Sequence, residues 1–236
     1  MKVILLAGGQ GTRLRPLTHT TPKPMILVGE KNLTEHVFDI FRRHKEVDEI
    51  ILSVGYMADT IKKYFQQGEK HGIKISYLVE EKPMGTAAPF LLMKKAGISL
   101  DEDFFVANVD NLFSLDLSQW LDFHSSHNGV ATIALHEVED PSMFGVVQLD
   151  ENRITRFVEK PKRENAPSNF INSGYYIIRP EIFTYIPDAE FSMLEKDVFP
   201  KLAELGLLYG FHGKGQWFDT GTPERYEQVK KEWRGV

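Results

Sequence analysis

The sequence predicts an α/β fold: a mostly parallel sheet with helices on both faces, followed by a strand-rich lobe. Three observations carry this reading. The opening run from Lys2 to Ala7 is apolar from Val3 onward and lacks the polar alternation of a half-exposed strand, so it reads as a strand buried on both faces. Strand-like and helix-like runs then alternate four times up to Val109. After about residue 129 the texture changes, and short strand-like runs dominate.

The elements follow in order. Leu33 to Phe41 has apolar residues at helical spacing, and Glu49 to Val54 is a strand closed by Gly55. Ala58 to Phe65 reads as a helix, Ile73 to Val79 as a strand, Thr86 to Ala96 as a helix and Asp103 to Val109 as a strand. In the second half, strands are expected at Val130 to Leu135, Gly145 to Leu149, Ile154 to Val158 and Phe170 to Ile178, with a helix from about Glu195 to Leu205. A last helix starts at Pro223, where Thr222 can cap and proline suits the first helical position. The first half is thus Rossmann-like. No linker rich in Pro, Gly or Ser appears, so residues 1–236 are expected to form a single domain, with halves of about 1–128 and 129–236.

Composition narrows the function classes. An apolar content of 42% and a charged content of 26% are ordinary for a soluble globular chain. A formal charge of −5 supplies no broad basic face, which argues against general nucleic-acid binding. With no cysteine there are no disulfides or thiolate metal sites, and the eight histidines show no zinc spacing. Met1 leads directly into a strand and no apolar run reaches membrane length, so a cytoplasmic protein without a membrane partner is expected.

The stretch after the first strand is the most informative. Gly8, Gly9 and Gly11 let the backbone turn sharply and approach a bound group, and successive amides in such a turn can form a nest for phosphate oxygens. Arg13, Arg15 and Lys23 add positive charge nearby. A tight turn beside solvated cations is the plain alternative. A dinucleotide fingerprint fails because Leu14 stands where its third glycine is due, and a Walker loop fails for want of Gly-Lys-Ser/Thr. A triphosphate loop with a mobile Arg and Lys remains. Ligands of such sheets sit beyond the carboxyl ends of the strands, where this loop, Glu80 and Asp110 all fall. Taken alone, Asp110 can be a turn aspartate or a metal ligand, Asp219 a helix-start cap or a ligand, and Glu159-Lys160 surface charge or a site.

Leu6-Ala7-Gly8-Gly9-x-Gly11-Thr12-Arg13-Leu14-x-Pro16-Leu17-Thr18, with Pro22-Lys23-Pro24-Met25, resembles the signature of the sugar-nucleotide nucleotidyltransferases, or NDP-sugar pyrophosphorylases. Later segments extend the likeness over nearly the whole chain. Within the family it resembles most the mannose-1-phosphate guanylyltransferases, with glucose-1-phosphate thymidylyl- and uridylyltransferases next. The resemblance implies the nucleotide-diphospho-sugar transferase fold with a sugar-binding lobe. The left-handed β-helix that several longer relatives carry is not expected here, since no hexapeptide period appears.

The resemblance also implies a site. Leu6, Ala7, Gly8, Gly9, Gly11, Thr12 and Arg13 would bind the nucleotide, with Arg13, Lys23 and Asp110 catalytic. Asp110 and Asp219 would hold Mg²⁺, Asp219 lying in a segment similar to the family's Trp-x-Asp-x-Gly-Thr-Pro. The family usually has Gly before the first aspartate; this chain has Val109. Gly145, Glu159, Lys160, Asn172 and Gly174 would face the sugar phosphate, and Glu195 is a further sugar-side candidate. Gly85 and Thr86 would lie against the base. Members using UTP or dTTP commonly have Gln five residues before that glycine, where this chain has Glu80. A carboxylate only accepts, which suits the N1–H and amino donors of guanine, whereas uracil or thymine pairs better with an amide. GTP is therefore the expected nucleotide, although Glu81 could take the same role. The partners implied are a nucleoside triphosphate and a sugar 1-phosphate, and relatives form dimers and tetramers, so a homo-oligomer is compatible. Regulatory relatives without turnover typically lose a metal aspartate, the loop arginine or the loop lysine, and all are present here.

Overall fold

The computed structural model describes residues 1–98 and 100–236. In chain order its strands and helices begin with β1 (Lys2–Ala7), a hairpin of β2 (Leu27–Val28) and β3 (Lys31–Asn32), α1 (Leu33–Phe41), β4 (Glu49–Val54), α2 (Ala58–Phe65) and β5 (Lys74–Val79). Next come α3 (Ala88–Ala96), β6 (Phe104–Asn108), β7 (Asn111–Phe113), α4 (Leu117–Ser125), β8 (Ala131–Glu137), β9 (Gly145–Asp150), β10 (Arg153–Glu159) and β11 (Phe170–Ile178). The chain continues through α5 (Phe199–Glu204), β12 (Leu208–His212), β13 (Trp217–Asp219) and α6 (Pro223–Glu232). These elements form two compact units that interleave along the chain. The first is Met1–Pro83 with Ala107–Leu115 and Lys214–Val236; the second is Met84–Val106 with Asp116–Gly213.

In the first unit β5, β4 and β1 lie side by side and parallel, in that order. Every residue of β4 is buried, and Val3, Ile4 and Leu5 of β1 are fully so, as their unbroken apolar runs require. The registers pair Ala7 with Val54 and Val54 with Val79, so the three strands end level with one another. α1 starts in a reciprocal cap: Asn32 Oδ1 accepts from Glu35 N–H at 3.0 Å and Glu35 Oε2 from Asn32 N–H at 2.9 Å. Its Leu33, Val37, Phe38, Ile40 and Phe41 are buried. The short β7 pairs antiparallel with β13, which brings Asn111 opposite Asp219.

In the second unit the order is β6, β11, β8, β12, β10 and β9. β8 pairs antiparallel with β11 and parallel with β12, while β10 pairs antiparallel with β12 and β9. Trp120, Tyr175, Tyr176, Phe104, Phe105 and Phe199 fill its core with less than 2% exposure each. β11 shifts register between Asn172 and Tyr176, a bulge that re-aims Asn172 and Gly174.

Two expected helices differ. α3 begins at Ala88 and not Thr86, because residues 84–87 bond to a distant segment: Ala87 N–H donates to Ser192 O at 3.0 Å, and Met84 O accepts from Ser192 N–H at 3.0 Å. The helix expected over Glu195 to Leu205 is a π-helical turn, Leu194–Val198, followed by the short α5. α4, β7, β12 and β13 come without counterparts in the sequence reading. Among the described residues no helix is long and apolar enough to cross a membrane.

Candidate functional site

The first unit gathers the loop, its cations and two carboxylates. After Ala7 the chain passes level with the ends of β4 and β5: Tyr56 N–H donates to Gly8 O at 3.3 Å, and Glu80 N–H to Val54 O at 2.8 Å. Glu80 then folds back onto the loop. A Cβ at Gly8 would lie 2.5 Å from Glu80 Oε1, so this close approach needs glycine. Ser53 Oγ also donates to that oxygen, at 3.3 Å. Glu80 is half-buried and Glu81 exposed, so of the two candidate carboxylates Glu80 is the one applied to the loop. Gly11 has φ +61° and opens a 3₁₀ turn, Thr12–Leu14, that carries Arg13. A side chain there would also meet Lys23 Cβ and Thr18 Cγ2, each at 2.9 Å. Thr18 Oγ1 closes the loop by donating to Gly11 O at 2.8 Å.

Lys23 is only 7% exposed, and its Nζ donates to Asp110 Oδ2 at 2.6 Å. The turn holding it is anchored by α1, where Thr34 Oγ1 donates to Pro24 O at 2.9 Å. Burial alone would push the Asp110 carboxyl up; the charge and hydrogen bond of Lys23, helped by the Arg13 charge, hold it below the usual carboxylate range. Val109 fits where the family usually has glycine, for it is 3% exposed and its N–H donates to Leu6 O at 3.3 Å. The buried Thr220 ties the two carboxylate segments together: its N–H and Oγ1 both donate to Asp110 O, at 3.0 and 2.8 Å. Asp219, the residue before it, accepts a short hydrogen bond from Arg225 Nη1. Arg13 also reaches this corner, its Nη2 lying 3.2 Å from where a Cβ on Gly221 would stand.

Among the described residues no group of three or more His, Cys, Asp or Glu could hold a metal unaided. Asp110 and Asp219 are hard carboxylate donors on backbone segments tied by Thr220, and such donors fit Mg²⁺, which takes one or two carboxylates and completes its shell with water and phosphate oxygens.

The second unit gathers the remaining candidates into two groups. Gly145 and Glu159 are paired residues of β9 and β10. A Cβ at Gly145 would stand 3.1 Å from Glu159 Oε2. Lys160 has the uncommon φ of +47°, with its N–H on Phe144 O at 2.9 Å and its Nζ 3.2 Å from Glu159 Oε1. At the β11 bulge, Asn172 Oδ1 accepts from Gly174 N–H at 2.9 Å while its Nδ2 donates to Tyr176 OH at 2.9 Å. The other group is Gly85, Thr86 and Glu195, the last near enough to Glu159 and Lys160 to feel their charges. Thr86 Oγ1 accepts from Leu194 N–H at 2.9 Å and donates to Glu195 Oε2. Glu195 is 7% exposed, and burial raises its pKa against the opposing effect of the Thr86 hydrogen bond.

Several residues that shape these groups escape the sequence reading. Thr18, Thr220 and Arg225 belong to no chemical motif, and Tyr176 reads as a core aromatic; only their contacts reveal them. Thr220 and Arg225 do lie beside a recognised segment, which is the one signal that could have found them.

A model of the Nucleotidyl transferase family matches residues 2–234, and the chain belongs to that family. A mannose-1-phosphate guanyltransferase of Saccharomyces cerevisiae is 38% identical over 233 residues, covering 96% of this chain and 63% of the yeast protein. A UTP–glucose-1-phosphate uridylyltransferase of Synechocystis is 37% identical over 242 residues, covering 97% of this chain and 62% of that protein. The chain thus spans 62–63% of the length of these relatives. Among solved structures, HddC from Yersinia pseudotuberculosis complexed with GMP-PN is similar, with a TM-score of 0.77, 29% identity and 99% of each chain covered.

Proposed function

We propose that the chain transfers a nucleotidyl group from an NTP to a sugar 1-phosphate, releasing pyrophosphate, and that its substrates are GTP and mannose 1-phosphate. The observation that carries the reaction class is the convergence of the glycine loop, Arg13, Lys23, Asp110 and Asp219 within one unit. A phosphate monoester is already ionised near neutral pH, so the sugar phosphate oxygen can attack the α-phosphorus in line without a general base. Catalysis then rests on positioning and charge. The glycine loop, from Leu6 to Arg13, holds the triphosphate by its amides. Lys23, freed from Asp110 by a competing phosphate, stabilises charge at the α-phosphate, and Arg13 stabilises the leaving pyrophosphate. Lys160 orients the nucleophile, while Glu159, Asn172, Gly145 and Gly174 hold the sugar. When bound by Asp110 and Asp219, Mg²⁺ supplies further charge neutralisation at the phosphates.

Nucleotide choice rests on Glu80. It is half-buried and braced by Ser53, and a carboxylate only accepts, which suits the donor-bearing edge of guanine better than that of uracil or thymine. A mismatched hydrogen bond there costs ~1–3 kcal/mol, enough for about tenfold preference or more. The similar identity of guanylyl- and uridylyltransferase relatives keeps a glucose-1-phosphate thymidylyl- or uridylyltransferase as the competing reading.

The test is Mg²⁺-dependent pyrophosphate release from GTP, UTP, dTTP, CTP and ATP, each crossed with mannose, glucose and amino-sugar 1-phosphates. A maximum for GTP with mannose 1-phosphate, shifted toward UTP or dTTP by Glu80→Gln, is expected. A maximum for dTTP or UTP in the parent overturns the base assignment and leaves the reaction class. No release from folded protein with any pair favours a regulatory, non-catalytic homologue.

A further inference from the structure

Glu195 is a buried carboxylate with no part in the steps above. Its position is defined from two sides. Thr86 Oγ1 donates to Glu195 Oε2, and the same hydroxyl accepts from Leu194 N–H at 2.9 Å, so one threonine side chain is fastened to two successive residues of the π-helical turn. The neighbouring backbone is fastened too. Ser192 exchanges bonds with Met84 O and Ala87 N–H, both at 3.0 Å, and Gly85, at φ +84°, has the Ser192 carbonyl where its side chain would be. Within the segment 192–197, the Asp197 carboxylate accepts from Ser192 Oγ at 3.1 Å and from Met193 N–H at 2.7 Å. The Gly85–Thr86 turn therefore precedes α3 without belonging to it, and takes its shape from residues more than a hundred positions later. Glu195 is the charged side chain in that attachment that bonds to Thr86. π-helical turns are rare and recur at functional sites, which agrees with a segment shaped for a task other than packing.

We propose that Glu195 is a positioning residue for the nucleotide: through Thr86 it holds the Gly85–Thr86 turn in the shape that receives the nucleobase, and it does not itself bind the sugar. This rests on the function proposed above, in which Gly85 and Thr86 lie against the base. A carboxylate suits the task because it accepts only, which commits the Thr86 hydroxyl proton to it and leaves that hydroxyl's lone pair for Leu194 N–H. Loss of either partner frees the turn, and the base must then order it on binding.

The test compares four variants of the full chain. Thr86→Val and Glu195→Met remove the link with similar volume, whereas Thr86→Ser and Glu195→Gln keep a hydroxyl and an acceptor. Hydrogen exchange of the substrate-free protein should quicken at the Leu194 and Ala87 amides in the first two variants and stay near the parent's in the second two. By calorimetry, Thr86→Val and Glu195→Met should each weaken GTP binding about tenfold, and the double variant should be no worse than either single one. Glu195→Gln should bind within about threefold of the parent. Turnover of Glu195→Met at saturating GTP should leave the KM for sugar 1-phosphate unchanged. Faster exchange with unchanged GTP affinity would make the link structural only and overturn the proposal. So would a raised sugar 1-phosphate KM with normal GTP binding, which would make Glu195 a sugar ligand. A parent protein that binds no nucleoside triphosphate defeats the proposed function itself, an outcome read before any variant is compared.

Discussion

Lys23 and Asp110 hold one another at 2.6 Å, and Asp110 is what makes Lys23 tolerable where it lies. Lys23 is 7% exposed, so without Asp110 its ammonium would be a nearly buried, unpaired charge. Substituting Lys23→Met keeps the apolar stem and removes the charge. The proposed role at the α-phosphate predicts a fall in kcat of about 10²–10³-fold, as for loss of one transition-state donor, with a smaller change in KM for GTP. Steady-state kinetics with thermal unfolding separates this from simple destabilisation. A loss confined to KM would instead make Lys23 a ground-state binding group. Gly11→Ala tests the loop in another way: φ +61° and contacts with Lys23 and Thr18 at 2.9 Å leave no room for a methyl group. It should lower stability by ~1–2 kcal/mol and weaken GTP binding, measured by denaturant unfolding and calorimetry. These glycines and basic residues were legible in the sequence because loop chemistry is local. The partnership of Lys23 with Asp110 spans 87 positions, and that of Thr86 with Glu195 spans 109, so neither leaves a mark in any short window.

At the scale of elements the same division holds. β1, α1, β4, α2 and β11 have the bounds their sequence expects, because unbroken apolar runs, helical spacing and a closing glycine fix them nearby. α3 starts late because a distant segment claims the amides and hydroxyl of its first expected turn. α4 was legible and went unread: Asp116 Oδ1 accepts from Ser118 and Gln119 N–H, and Leu117, Trp120 and His124 are buried at helical spacing behind it. The three-residue strands β7 and β13 exist through their mutual pairing and carry no signal of their own. α1 shows how an element serves the site. Its capping box is nearly buried, with Asn32 1% exposed, and its Thr34 fixes the Pro24 carbonyl beside Lys23. Asn32→Ala should cost ~1–2 kcal/mol, lowering Tm by about 2–8 °C in a chain of this size. Thr34→Val should lower Tm less and reduce kcat more, because it loosens the lysine turn while leaving the helix start intact. Equal rank order in both measurements would sever α1 from the site.

For the molecule as a whole, acid should act in two pH windows. His127, in the second unit, is half-buried, its ring stacked on Tyr209 at 3.8 Å between centroids. Its Nδ1 accepts from Gly129 N–H at 3.0 Å, so Nε2 carries the proton toward Thr132 Oγ1 at 3.1 Å, and the Thr132 hydroxyl is left to donate to His124 Nδ1 at 2.6 Å. Burial, helped by the Arg179 charge, lowers the His127 pKa from 6.5 to about 4. The folded form therefore keeps His127 neutral where the unfolded chain takes up a proton. Its stabilising effect is full above pH 6.5 and is lost as pH falls from 6.5 through about 4. In the first unit, burial would raise the Glu49 pKa, but Lys2, Ser76 and Lys74 hold it down at about 2 against an ordinary 4.5. That contribution is present above pH 4.5 and disappears as pH falls from 4.5 through about 2. Tm measured from pH 7.5 to 3 should thus be flat at first, slope downward below about 6.5 and steepen below about 4.5. His127→Phe keeps an aromatic ring on Tyr209 but has no titrating nitrogen. It should start from a lower Tm, having lost the Gly129 bond, and show a shallower slope between pH 6.5 and 4.5, the remainder coming from His71 and His136, whose pKa values burial also lowers, while the steeper region persists. Glu49→Gln should do the reverse, making the steep region shallower, with the remainder from Asp110, which is also held below the usual carboxylate range, and sparing the first. Parallel curves for the parent and His127→Phe would show that the upper slope comes from other groups, and the directed chain from Gly129 to His124 would then have no part in the acid sensitivity of this fold.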